Sequence, residues 1–510
     1  MAKKKGIRES EKTPGPVKDC DLDGGYSSPL QTLRDFSVDN IKAVLVQSRY
    51  LQALIVLTIL GLFFRFYNLG FNSLWLDEAS TYSISQNSLW GIWQITAGGE
   101  FNPPLFYWAE HLMLAFGNSE FVLRFLPAFL GVLIIPLFYL VGKEFFDRNV
   151  GIIAAAACAF SPFLIYYSQE ARAYMMMLFF VALATLFFLK ALKSGTILNW
   201  ALFGVFSALA FWSHFYAFVI IASLVLYALI LWVPRIRTEL NNVKMLVAGI
   251  AVFVLLCLPL IIVTVQLFIT RTSSAPTYGI QGVDIIIQTF SQISGFNTIS
   301  MIVLLVLFVI GIIQAYLIDR SKAFFLILLA VLTFVISFIL SFRMPMQPRY
   351  LIFLSLVLFI GAAISYRSLY SLWNNRAVVY VLMAIMVLIS VPVLTNYYSG
   401  YSKEDWRGFS GFLTETVSPG DMIITVPGYI AQPLDYYYSS NATGTLQYQA
   451  TTAEDLQKIF AEKGNSTLYF VVTGDISAAD PSGGALGWLE NNTRYAGAAS
   501  NGGIYLFTNP

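Results

Sequence analysis

Apolar stretches of about 20 residues, each able to cross roughly 30 Å of hydrocarbon, recur along this 510-residue chain and constrain its fold more than any other feature. They lie at about 48–67, 121–142, 150–167, 173–192, 198–213, 215–233, 246–269, 299–318, 323–342, 349–367 and 377–396. A backbone in lipid must satisfy its own hydrogen bonds, so each run is expected to be a helix. Eleven spans follow. The boundary least marked is Ser213-His214, which alone divides the pair at 198–233. Only 12% of residues are charged, about half the share of a soluble domain, which excludes a soluble fold.

Charge orients the spans. If Lys3, Lys4, Lys5 and Arg8 are cytoplasmic, alternate loops carry Lys143 and Arg148; Lys190 and Lys193; Arg235, Arg237 and Lys244; Arg320 and Lys322; Arg367 and Arg376. Every such inner loop is basic, as the positive-inside rule requires. The C-terminus then lies outside, together with the sequons at Asn441, Asn465 and Asn491. Residues 1–44 are polar, without an apolar period, and are expected to form a disordered cytoplasmic tail rather than a signal peptide. The net charge of +2 does not suggest a nucleic-acid partner. Cys20, Cys158 and Cys257 form neither a disulfide framework nor a metal-binding spacing.

The membrane part is expected to occupy 45–396 and a different unit 397–510. In the latter, Met422-Ile-Ile-Thr-Val426 and Thr467-Leu-Tyr-Phe-Val-Val472 read as buried strands. Segments 403–416 and 452–462 read as helices between them, so the fold class is a polytopic α-helical membrane protein with a small outer α/β domain. Asp405-Trp406-Arg407 is placed to pack this domain on the membrane part. The first outer loop, about 68–120, holds Phe101-Asn-Pro-Pro-Leu-Phe-Tyr-Trp, followed by an apolar segment too short to span. We expect a helix lying in the interface, a twelfth span being opposed by charge because it would put the basic loops outside. Segment 270–298 is expected to be a mobile outer loop.

Ionisable residues gather at the outer ends of the spans: Asp77 and Glu78, Glu110 and His111, Glu170 and Arg172, His214, Arg271, Arg343 and Arg349. Ionised groups at such depth are functional candidates. Asp77 and Glu78 alone would also serve as first-turn acids of a helix starting near Ser80, Arg172 as a snorkelling headgroup contact, and His214 as a satisfied interface histidine. Together they suggest an outer-leaflet cavity that accepts an anion and transfers a proton. In Ser168-Gln-Glu-Ala-Arg-Ala-Tyr174, Glu170 is expected to fix Arg172 toward a phosphate. In Met344-Pro-Met-Gln-Pro-Arg-Tyr350, Arg349 opens a span on the side where positive charge is disfavoured. Arginine suits a phosphate because it can donate two parallel hydrogen bonds. Arg65 and Arg124 are expected to pair with the first-loop acids.

The Asp77-Glu78 pair after the first span, Asn102-Pro-Pro104 in the same loop, Val122-Leu-Arg-Phe125 at the second span, Ser168–Tyr174 and Pro348-Arg-Tyr350 resemble the C-type glycosyltransferases over roughly residues 45–395. The resemblance is to the protein O-mannosyltransferases, the lipid A aminoarabinose transferases and the rhizobial galacturonosyltransferase-like proteins. It implies a multispanning enzyme that moves a sugar from a polyprenyl- or dolichyl-phosphate donor to a glycan, lipid or protein acceptor on the non-cytoplasmic face, with inversion. Asp77 matches the family's first-loop catalytic acid. Glu170 stands where the aminoarabinose transferases have aspartate, and the C-terminal part does not read as the β-trefoil of eukaryotic mannosyltransferases. Asp77 is then the expected catalytic base. Glu78, Glu170 and His214 support it or meet the acceptor, and Arg172, Arg349 and Arg271 bind the donor phosphate. No cofactor is required by the sequence, although a divalent metal could sit between Glu170 and Asp77. A prokaryotic plasma membrane is expected. The competing classes are a lipid-linked-sugar flippase or transporter, and an inactive binding relative.

Overall fold

The computed structural model describes residues 48–510 apart from 273–275, 277 and 401; the N-terminal tail expected over 1–44 lies outside them. Each apolar run is helical. Helix α1 spans Arg49–Phe66, and the loop after it holds α2 (Leu76–Ser85), α3 (Leu89–Ala97) and α4 (Leu105–Met113). There follow α5 (Glu120–Phe145), α6 (Arg148–Phe160), α7 (Pro162–Ser168), α8 (Tyr174–Ser194), α9 (Ile197–Ser213), α10 (Ala217–Trp232) and α11 (Ile236–Arg271). The set continues with α12 (Val283–Ile293), α13 (Thr298–Ile318), α14 (Arg320–Leu340), α15 (Leu354–Ile364), α16 (Tyr366–Trp373), α17 (Ala377–Leu388) and α18 (Val391–Tyr398).

By length and composition, eight helical segments among the described residues are long and apolar enough to cross a membrane, or nine if the bent pair α6–α7 is one span. One of them, Ala217–Arg271, is a helical stretch of 55 residues. A straight helix of that length would reach about 80 Å, yet residues from both its ends, Tyr216 to Leu229 and Ile250 to Arg271, line a single groove. The segment therefore folds back at Trp232–Arg235 into two spans. With the 17-residue helix Ile197–Ser213, the helical segments filling apolar runs number eleven. Parity agrees: residues from the loops after the first, third, fifth, seventh, ninth and eleventh runs meet at one end, as described below.

Local chemistry explains the breaks. Ser161 caps α7 and Pro162 occupies its first turn. Proline has no N–H to give the Cys158 carbonyl, and the axis turns by 58°. The freed carbonyls are met by Arg65, whose Nη2 donates to Cys158 O at 3.0 Å and whose Nη1 donates to Ala159 O at 3.1 Å. Arg65 is thus a cap for a broken helix, not the partner of a first-loop acid. Helices α13 and α15 approach so closely that a Cβ on Gly311 would lie 1.8 Å from the Gly361 carbonyl, the small-residue packing on which helix contact in lipid relies. The segment expected to be a mobile loop contains the amphipathic α12, whose Ile285, Thr289 and Ile293 are buried.

Beyond α18, helix α19 (Trp406–Thr416) leads into β1 (Met422–Val426), α20 (Ala431–Tyr437), β2 (Leu446–Gln449), α21 (Ala453–Ala461), β3 (Leu468–Thr473), α22 (Gly484–Asn492), β4 (Arg494–Ala498) and β5 (Ile504–Thr508). The strand order is β2-β1-β3-β5-β4. β1 pairs in parallel with β2 and β3, whereas β5 runs antiparallel to both β3 and β4. Every residue of β1 is buried, which is why it reads as an unbroken apolar run. One face packs on Leu456 and Leu489, the other on Trp406, Phe409 and Leu434.

Candidate active site

Helix α2 begins at Leu76, four residues earlier than the sequence suggests, so Asp77 and Glu78 both fall in its first turn. Successive helical side chains diverge by about 100°, and the two carboxylates point to different partners. Glu78 is fully buried. Its Oε1 accepts from Arg124 Nε and its Oε2 from Arg124 Nη2, both at 2.7 Å, and the Ala171 N–H donates to Oε1 at 2.8 Å. Arg124 also donates to the carbonyls of Leu69, Asn72 and Ser73. Glu78 therefore fixes the chain entering α2. Burial pushes its carboxyl up, but Arg124 and Lys403 outweigh that and hold it down at about 2.

Asp77 keeps 23% of its side chain exposed. Its Oδ2 lies 3.1 Å from Arg349 Nη2 and 3.9 Å from Arg172 Nε. Neither contact is an aligned hydrogen bond, so this oxygen keeps its acceptor capacity. Arg172 Nη1 donates to the Asp77 carbonyl at 3.2 Å and to Thr81 Oγ1 at 3.3 Å. The second-loop arginine is thus positioned by Asp77 and its helix, not by Glu170. Arg349 lies over the rings of Trp75, Tyr174 and Tyr350, 5.3 to 5.8 Å from their centroids. His214 packs among Tyr174, Tyr216 and Tyr350. Its Nδ1 accepts from the Tyr216 N–H at 3.3 Å. Burial first, then Arg172 and Arg349, push this imidazole down to about 3, so it is neutral near pH 7.

Glu170 is buried, and neither carboxylate oxygen has a hydrogen-bond partner among the described residues. Burial raises its pKa, with Lys403 and Arg349 acting the other way. Lys403 was not singled out from the sequence. Its Nζ lies 3.0 Å from Glu78 Oε2 and 3.6 Å from Glu170 Oε2. The signal was present: Lys403 follows the last span at the same end of the bundle as Arg349, where the charge rule leads one to expect few cations.

The remaining ionisable residues expected at this end make other contacts. Arg271 Nη2 donates to the carbonyls of Gly99 and Glu100 at 2.6 and 2.7 Å, and its guanidinium covers the Phe101 ring. It braces the loop before α4 and makes no ion pair with Asp77, Glu78 or Glu170. His111 Nδ1 donates to Ser85 O at 2.8 Å. Burial, then Glu78, push the enclosed Glu110 carboxyl well up.

Two features mark the surroundings of this cluster. The ion-paired set contains four cations, Arg124, Arg172, Arg349 and Lys403, against three carboxylates. The buried donors Trp75 Nε1, Arg349 Nε, Tyr174 OH and Tyr216 OH have no partner among the described residues. Near this cluster an apolar groove of about 790 Å³ lies between α9, α10, α11 and α14, lined by side chains including Phe211, Phe253, Val265 and Leu340. Tyr216 belongs to the groove and stacks on Tyr350, their centroids 5.2 Å apart.

The C-terminal domain closes over α2. Asp405 accepts from Ser73 Oγ, the Arg407 N–H donates to the same hydroxyl, and Tyr437 OH accepts from the Leu74 N–H. Arg407 also pairs with Glu120.

A sequence model described as dolichyl-phosphate-mannose-protein mannosyltransferase matches residues 102–263. A protein of Aquifex aeolicus (strain VF5), described as uncharacterized, is 27% identical over 217 residues, which are 40% of this chain and 41% of that one. Two solved structures share the fold. ArnT from Cupriavidus metallidurans bound to undecaprenyl phosphate is 13% identical, with a TM-score of 0.58 over 89% of this chain and 98% of that one. The Archaeoglobus fulgidus oligosaccharyltransferase in complex with Zn and sulfate is 16% identical, with a TM-score of 0.57 over 89% and 72%. The helical bundle, the partial sequence match and these structural likenesses give the chain the fold of C-type glycosyltransferases such as ArnT and the archaeal oligosaccharyltransferase.

Proposed function

We propose that the protein transfers a sugar from a polyprenyl-phosphate carrier to an acceptor hydroxyl on the non-cytoplasmic face of a prokaryotic plasma membrane. The observation that carries this reading is the partly exposed Asp77 carboxylate beside Arg172 and Arg349, with an apolar groove nearby whose Tyr216 stacks on Tyr350. The groove accommodates the prenyl tail and the arginines take the phosphate. The same fold occurs with undecaprenyl phosphate bound in ArnT and with a dolichol-phosphate in the archaeal oligosaccharyltransferase AglB.

The acceptor hydroxyl attacks the anomeric carbon from the face opposite the phosphate. A new C–O bond forms as the C–O bond to the phosphate breaks, and the bonding pair leaves with the lipid phosphate. Asp77 takes the hydroxyl proton, so configuration inverts and no covalent enzyme intermediate forms. The leaving group is an anion, so guanidiniums replace the second acid of a glycosidase. Each well-placed contact of this kind contributes on the order of 10²–10³ in rate. The neutral His214 offers an N–H at Nε2 rather than charge. Arg271, at the groove's outer end, borders the tail and headgroup rather than the transferring phosphate.

The test is to supply labelled polyprenyl-phosphate sugar, or the matching nucleotide sugar, to membranes containing the full chain. The expected result is acceptor labelling and release of polyprenyl phosphate from the lipid donor only, abolished in Asp77→Asn. Movement of the intact lipid-linked sugar across the bilayer without release would establish a flippase instead.

A further inference from the structure

We infer that Lys403 is the resident cation of this centre: its ammonium, delivered by the segment entering the outer domain, fills the position between Glu78 and Glu170 that a divalent ion would need. A metal needs several lone pairs converging on one point, six or more oxygens for calcium and four ligands for zinc. Here Glu78 is already committed, and cations stand beside the open oxygens of Asp77 and Glu170. Both oxygens of Glu78 are held by Arg124, with the Ala171 N–H and Lys403 completing its shell. Asp77 Oδ2 faces two guanidiniums, and Glu170 Oε2 faces Lys403. The His214 Nδ1 lone pair is engaged by a backbone N–H. Among the described residues no group of three or more His, Cys, Asp or Glu side chains is placed to hold a metal ion. An ion shared by Asp77 and Glu170 would sit against Lys403 and Arg349, where like charges repel.

Lys403 is built in rather than draped on the surface. Its side chain is 4% exposed, and the rings of Trp75 and Tyr166 stand 6.0 and 5.7 Å from Nζ. Two residues on, Asp405 fixes Ser73 ahead of α2, and the Ser402 N–H donates to Asn72 Oδ1 at 3.0 Å. The same short segment thus secures the first outer loop through hydrogen bonds and the second through charge. Lys403 is a positioning residue: it acts on Glu78 and Glu170, and through Glu78, which fixes the entry to α2, on Asp77. This assignment rests on the geometry of the cluster. Only the ligand-binding arm of its test rests on the proposed reaction.

The full chain in nanodiscs is measured for thermal midpoint and for binding of labelled undecaprenyl phosphate, after EDTA treatment and again with MnCl2 or ZnCl2. The native protein is expected to keep its midpoint within 1 °C and its affinity within twofold throughout. A tenfold loss on chelation that metal restores would overturn the assignment. Lys403→Met is expected to lower the midpoint and weaken binding by at least tenfold, and Lys403→Arg to retain most of both. Adding Glu170→Gln to Lys403→Met is expected to restore at least half of the lost midpoint, because the buried carboxylate no longer lacks a partner. If Lys403→Met fails to fold, the return of folded protein in the double variant is the same signal. A double variant worse than either single one would contradict the idea. A native chain that binds no undecaprenyl phosphate would count against the proposed reaction, leaving the midpoints to decide Lys403.

Discussion

The two ends of the helical bundle handle charge differently. At the end bearing the even-numbered loops, charges serve the helices. Asp147 caps α6 through the Val150 N–H and pairs with Arg367 at 3.0 Å. Lys193 pairs with Glu144 at 2.8 Å while more than half exposed, and Lys322 lies over the Phe146 ring. At the other end seven ion-paired groups are packed together, several of them fully buried, and buried donors stand unused. Water and headgroups can satisfy the first kind of arrangement. The second leaves buried donors without partners, which the lipid phosphate proposed above would supply.

The sharpest way to break this contrast is Asp77→Asn. It is expected to cut sugar transfer by about 10³ or more at unchanged protein level, because amide and carboxylate match in shape but differ in basicity. Arg349→Ala should reduce transfer by about 10² and weaken donor use, measured by initial rates against donor concentration. Glu78→Gln tests the neighbouring acid. Weakening a fully buried ion pair costs about 3 kcal/mol or more, so the expected result is a lower thermal midpoint and less folded protein, with residual activity per folded molecule. His214→Phe probes the buried imidazole through pH. The unfolded histidine takes a proton below about 6.5, while the folded one resists down to about 3. Stability tied to neutral His214 is therefore complete above pH 6.5 and lost as pH falls, by about 2 kcal/mol at pH 5. The variant should lose less stability than the native chain between pH 7 and 5 in parallel denaturant titrations. At the opposite end, Lys193→Ala should change stability by less than about 1 kcal/mol and leave transfer unchanged. A large loss of activity there would dissolve the distinction between the two ends.

Much of this was legible in the sequence, for physical reasons that also mark where legibility stops. Lipid allows few backbone solutions, so the apolar runs announced their helices, and a buried parallel strand such as Met422–Val426 announced itself by continuous hydrophobicity. Asp77, Arg172 and Arg349 could be nominated because charge at the outer end of a span needs a reason. Their pairing could not. That Arg172 answers to Asp77 while Glu170 answers to Lys403 depends on contacts between residues separated by about 95 and 233 positions, which no local period encodes. Arg65 was misassigned because its partners are backbone carbonyls freed by Pro162, and a carbonyl has no sequence signature. Helix α12 was hidden by the Gly, Ser and Pro before it, although Ile285, Thr289 and Ile293 repeat every four residues along one face.

The most direct measurement is the density of undecaprenyl phosphate bound to the full chain in a lipid nanodisc. The phosphate is expected within hydrogen-bond distance of Arg172 and Arg349, with the prenyl tail along the groove past Tyr216 and the Asp77 carboxylate facing the side from which an acceptor would approach. A phosphate resolved elsewhere on the surface, with the Asp77 hollow filled only by water, would contradict the account.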